Sequence, residues 1–175
     1  TANIGKFENV EVFSLDYKGN TTSMMIVLPN EEVPLENVVA ELSVEAYLNW
    51  CNKLDETDMY VELPKWKFTP PTILLVKALK DLGLKIPFNS GIVSPNFENI
   101  APEIYVGNVL HKAMIEVNEE GAEAAAATVI IMPSRSVGTV SPHIKVNRPF
   151  LYFIKDNATN SILFMGQVID PSKGK

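Results

Sequence analysis

The sequence holds a single cysteine, Cys51, so no internal disulfide can form and cysteine alone supplies no metal cluster. Its two histidines, His111 and His143, stand far apart and in no ligand spacing, which removes the usual zinc patterns and leaves little for imidazole-based catalysis. Fifteen Lys and Arg are outnumbered by 21 Asp and Glu, for a net charge of -6. That balance argues against a nucleic-acid groove or an anionic membrane surface as the main role, because both need clustered basic side chains. No apolar run approaches the roughly 20 residues of a membrane span. The first residues, Thr1 to Lys6, lack the apolar core of a signal peptide, so any leader of an exported protein is expected outside this chain. The glycines are scattered singly, mostly at turns, and make no phosphate-cradling loop. Internal repeats, low-complexity tracts and domain linkers are absent.

What is present fits one ordinary domain of 175 residues with a substantial core, since 46% of the side chains are hydrophobic. Val10, Val12, Phe13 and Leu15 form an extended run, Lys18-Gly19-Asn20 a turn, and Met24-Met25-Ile26-Val27-Leu28 a continuous apolar strand of the kind buried on both faces. Pro34 precedes a helix carrying Leu35, Val38, Val39 and Leu42. Ser43 then caps a second helix whose expected inner face is Val44, Tyr47, Leu48, Cys51 and Leu54, making Cys51 a buried small apolar residue. Residues 59–68 read as two strand segments broken at Pro64. A helix is expected from Thr69-Pro70-Pro71 through Leu82, with Gly83 at its left-handed C-terminal cap.

Residues 84–104 read as a long ordered loop and Val106 to Val117 as one strand. His111 falls in that strand as a structural histidine, and His143 is expected in an exposed loop. The runs 150–154 and 162–168, joined through Asp156-Asn157-Ala158-Thr159-Asn160, predict a buried hairpin. Strands in pairs and runs with helices between them argue for an α+β fold of mixed sheets with a few helices. Glu31-Glu32 and Glu119-Glu120 read as solvated acidic pairs rather than a catalytic dyad. Two acceptor sequons, at Asn20 and Asn157, fall on predicted turns and suit glycosylation in an extracellular protein.

One stretch resists a local reading. Glu119-Glu120-Gly121 opens a tract of very small side chains, Ala122 to Thr128, which passes into Val129-Ile130-Ile131-Met132-Pro133-Ser134 and ends at Arg135-Ser136. Propensity favours a helix across the alanines, yet β-branched residues follow at once and no cap closes it. The same stretch is flanked by Leu63-Pro64-Lys65, Leu82-Gly83-Leu84-Lys85, Phe97, Asn147-Arg148-Pro149-Phe150 and Ile162-Leu163-Phe164-Met165-Gly166-Gln167-Val168. In this order and spacing they resemble the C-terminal half of a serpin, across nearly the whole chain.

The resemblance implies an inhibitor rather than an enzyme, with no cofactor and no metal. Residues 119–146 would form the hinge and reactive-centre loop of a single serpin-like domain, 1–175. Counting along the loop from Glu119 at the family's usual length places the bait bond at Arg135-Ser136, with Met132 or Ser134 as the bait residue in other registers. In the family, a serine protease attacks that bond and the acylated loop, here 121–134, inserts as a strand of the main sheet, dragging the protease away and distorting its active site. Alternate strand residues face opposite sides, so Ala122, Ala124, Ala126 and Thr128 would enter the packed interior, and all four are small. Gly121 suits the turn at the hinge. Arg135 implies a trypsin-like protease, whose pocket carboxylate pairs with a guanidinium.

The chain is shorter than the family fold, and the N-terminal helices and the strands flanking one side of the insertion site are expected to be missing. Three arrangements follow as expectations: one part of a split or nicked serpin joined noncovalently by a complementary N-terminal fragment, a naturally short serpin, or a fragment with a rearranged fold. A chain standing alone is expected to bare an apolar surface where the absent helices would pack, covered by self-association or a partner. Beside the inhibitor, a noninhibitory serpin-like binding or regulatory module is the alternative function. The loop is also expected to pair antiparallel with the strand ending at Val117, around Glu119-Glu120-Gly121.

Overall fold

The computed structural model describes residues 2–91, 93–118, 121–122 and 142–173. They gather into two compact units, one from Thr1–Lys67 and Glu116–Lys175, the other Phe68–Ile115. The architecture is α+β, as expected from the run of strands with helices between them.

The first unit is built on a six-stranded sheet. Its strands are β1 (Ala2–Lys6), β2 (Val10–Asp16), β3 (Thr22–Pro29), β4 (Asp55–Thr57), β12 (Phe150–Asp156) and β13 (Ile162–Val168), in the order β13-β12-β3-β2-β1-β4. The apolar run of β3 lies between β2 and β12, antiparallel to both, with Ile26 opposite Phe13 and Tyr152. β3 buries both faces, with Met25, Ile26 and Val27 fully inaccessible. Successive residues point to opposite sides. Val10, Val12, Met25, Val27, Leu151 and Phe153 meet Leu35 and Val38 of α1 (Leu35–Ala40) and Tyr47 and Trp50 of α2 (Val44–Asn52). Each such fully buried side chain contributes about 1.5–3 kcal/mol by leaving water.

Ser43 caps α2 as expected, its Oγ accepting the Ala46 amide at 3.1 Å. The inner face differs from the expected one. Tyr47 and Trp50 are buried, whereas Val44 is 69% and Leu48 40% exposed. The aromatic rings fill more of the space over the sheet: Tyr47 packs 5.3 Å from Phe153, and its hydroxyl donates to the Asn160 carbonyl at 2.8 Å. Cys51 is partly buried against the same cluster. The hairpin of β12 and β13 forms, yet only β12 is buried. β13 is the sheet edge, and Ile162, Leu163, Phe164 and Met165 are each 42–56% exposed. An apolar surface without cover among the described residues is therefore present.

β5 (Tyr60–Glu62) and β6 (Trp66–Phe68) are separate strands, divided at Pro64 as expected. Trp66 is buried edge-on to Phe150 at 5.3 Å and beside Tyr152 at 5.8 Å. That contact seats β6 on the face of the large sheet opposite to the two helices, where Tyr152 pairs with Ile26.

In the second unit, the helix expected from residue 69 is shorter. Ile73 and Leu74 form β7, antiparallel to β8 (Leu110–His111), and the Leu75 amide donates to the Val109 carbonyl at 2.9 Å. Backbone donors spent across β8 are not available to a helix, so α3 spans Val76–Asp81. Gly83, at φ 99°, ends it as expected. Its amide returns to Lys80 at 3.0 Å and that of Leu84 to Leu79 at 2.9 Å, which is the Schellman pattern. Leu82, the last residue of the expected helix, is 84% exposed. The single strand expected over 106–117 is two, β8 and β9 (Ile115–Asn118), interrupted at Lys112-Ala113-Met114. His111 lies in β8 opposite Ile73 and is exposed.

Candidate functional site: two short strand pairings

The stretch singled out from the sequence is held at both ends by strand pairing. At its N-terminal end, Gly121 and Ala122 form β10, which pairs antiparallel with β9 through Gly121 opposite Asn118 and Ala122 opposite Val117. This is the expected hairpin-type return onto the strand ending at Val117. β9 is the middle strand of a three-stranded sheet, β10-β9-β6. Its Val117 is buried, and Glu116 reaches across to Lys67 of β6 at 2.6 Å. β9 is thus fixed on its far side by β6, itself anchored through Trp66.

At the C-terminal end, His143–Lys145 form β11, which runs parallel to β5 with Ile144 opposite Val61 and Lys145 opposite Glu62. A loop was expected at His143, but the alternation His-Ile-Lys-Val over 143–146 is a strand pattern, with Ile144 and Val146 buried and His143 and Lys145 exposed. Two backbone bonds close this pairing. The Tyr60 amide donates to the Pro142 carbonyl and the Val146 amide to the Glu62 carbonyl, each at 2.9 Å. On the outer face the Glu62 carboxylate lies 3.3 Å from Lys145 Nζ through one oxygen and 2.9 Å from His143 Nε2 through the other. Lys145 foremost, with His143 adding, holds the Glu62 carboxyl below the usual carboxylate range. Just past β11, Arg148 Nε donates to the Pro29 carbonyl at 2.6 Å and ties the segment to the end of β3.

Of the residues named from the sequence, Gly121 and Ala122 are placed in β10. Glu119, Glu120, Ala124, Ala126, Thr128, Met132, Ser134, Arg135 and Ser136 lie outside the described residues. Asn20 is exposed in the turn between β2 and β3. The Asn157 amide nitrogen donates to Asp16 Oδ1 at 3.1 Å and the Asn20 carbonyl at 3.0 Å, while its oxygen accepts from Ser23 Oγ at 2.7 Å and Lys155 Nζ at 3.1 Å. Sequence reasoning missed Trp66 as an anchor and Glu62 as the partner of both outward side chains of β11. The first had a signal, the large apolar residue alternating with Lys65 and Lys67; the second depends on a pairing between strands remote in sequence and had none.

The chain matches the profile of the family described as Serpin (serine protease inhibitor) over residues 1–171. It belongs to the serpin family. Antithrombin-III of Mus musculus is 37% identical over 170 residues, covering 94% of this chain and 36% of its own. Iripin-2 of Ixodes ricinus is 39% identical over 161 residues, covering 91% and 39%. Among solved structures, the thermophilic serpin tengpin in its native state aligns with a TM-score of 0.77 at 27% identity, covering 97% of this chain and 44% of that one. A serpin from the trematode Schistosoma haematobium aligns with a TM-score of 0.74 at 26% identity, covering 97% and 45%. This serpin chain therefore spans well under half the length of these relatives and reproduces a portion of their fold.

Proposed function

We propose that this chain is the bait-bearing part of an extracellular serpin directed at trypsin-like serine proteases, with Arg135-Ser136 as the bait bond and 121–134 as the inserting hinge loop. The observation that carries the reading is the pair of tethers: β10 already lies beside β9 at the point where a strand insertion would begin, and β11 on β5 holds the other end. In an inserted strand Ala122, Ala124, Ala126 and Thr128 would present small side chains to one face, so insertion would meet no bulky or charged group in that set. A second neighbour for the inserting strand, and cover for the bare side chains of β13, would come from a complementary N-terminal serpin fragment. A noninhibitory binding or regulatory role is the second reading. It is favoured by β10 having a paired neighbour on only one edge among the described residues.

The register is tested by substitution. Arg135→Ala abolishes the denaturant-stable complex with trypsin, whereas Met132→Ala and Ser134→Ala preserve it. Loss of the complex in Met132→Ala with retention in Arg135→Ala overturns Arg135 as the bait residue.

A further inference from the structure

The C-terminal tether is short. Three residue pairs join β11 to β5, and a buried Ile144 and Val146 hold its inner face. Its outer face is held by one carboxylate serving two basic side chains, His143 and Lys145, which stand two residues apart on the same side of the strand. We propose that His143, Glu62 and Lys145 form a pH-sensitive clamp that sets how firmly the strand closing the bait segment stays paired with β5.

The sign follows from the charges. A protonated imidazole attracts the Glu62 carboxylate and donates to it; a neutral imidazole can donate one hydrogen bond but adds no charge. The clamp is therefore stronger with the imidazole protonated than with it neutral, and weakens as pH rises. At the acid end, Glu62 must stay ionised, and Lys145 keeps its carboxyl below the usual range, so loss on that side begins only under more acidic conditions. The other charged groups facing β11 are Glu11 of β2, Glu31 after β3, and Arg148, which line one cleft with His143 and Lys145. Glu11 is paired with Lys6 at 3.1 Å, and Arg148 Nε is directed to the Pro29 carbonyl. Among these groups His143 is the one imidazole, the side-chain type suited to a charge switch.

The consequence for inhibition rests on the bait reading: a β11 that pairs less firmly is a weaker C-terminal anchor for a bait segment. The clamp itself is measured without any protease, so its failure and failure of the inhibitor reading are separable. Hydrogen exchange of the Tyr60 and Val146 amides, whose bonds cross the pairing, reports its opening directly. In the full chain, the protection factors of these two amides fall about threefold from pH 5.5 to pH 8, the scale of an exposed ion pair, while β3 amides keep theirs. His143→Gln, which retains a hydrogen-bond donor but no titrating charge, removes the pH step; Lys145→Gln lowers protection at both pH values and keeps the step. An unchanged step in His143→Gln, or flat protection in the unsubstituted chain, overturns the clamp.

Discussion

Asn157 shows how much one side chain can organise. It sits in the turn between β12 and β13, yet its amide reaches Asp16, Asn20, Ser23 and Lys155, so it joins that turn to the one between β2 and β3. Ser23 is fully buried, and its hydroxyl donates to the Asn157 oxygen. Lys155, also buried, has a second acceptor in Asn160 Oδ1 at 3.0 Å. Asn157→Ala therefore strands the Ser23 hydroxyl more than the lysine, and the expected cost is about 1–3 kcal/mol of stability. Urea unfolding checks this; a midpoint unchanged from the parent chain contradicts the assigned network. The same bonds bear on glycosylation, because a glycan on Nδ2 takes one of the two hydrogens that Asn157 donates. Asn20, exposed in its turn, faces no such conflict, and we propose it as the preferred of the two acceptors.

Among the elements, the two edges of the large sheet differ in a way that predicts behaviour. β4 carries Asp55 and Glu56, and charged edges discourage further strand pairing. β13, Ile-Leu-Phe-Met-Gly-Gln-Val, has no charge and several exposed apolar side chains. Without a covering partner, the chain is expected to self-associate with increasing concentration, and Phe164→Lys on β13 shifts it towards monomer in sedimentation; a parent chain that stays monomeric contradicts this. The elements also show what sequence could and could not reveal. The β2–β3 and β12–β13 hairpins, the Ser43 cap and the Gly83 stop were legible because each rests on local periodicity or one residue's backbone preference. β1 and β4 are short and polar, and owe their existence to pairing with each other and with β2. The start of α3 was misplaced because Ile73 and Leu74 serve β8, a partner far along the chain. The inner face of α2 was misjudged because periodicity alone does not rank Trp50 above Leu48.

For the molecule as a whole, the proposed bait bond rests on family resemblance alone, since nothing local marks Arg135 as a target. The tethers were partly legible: the return of β10 onto β9 follows from the turn at the hinge, whereas β11 on β5 joins strands separated by most of the chain. Those tethers give the proposed trap a physical form. In that proposal, attack at Arg135-Ser136 would cut the segment between its two anchors and leave residues up to Arg135 covalently joined to β10. The most direct test is the intact mass of the product after mixing the chain with trypsin, with its complementary serpin fragment present if one copurifies, and denaturing. The account predicts a covalent species equal to trypsin acylated by residues 1–135, with residues 136–175 released. Only free trypsin with the two cleaved pieces, or with uncut chain, would contradict it.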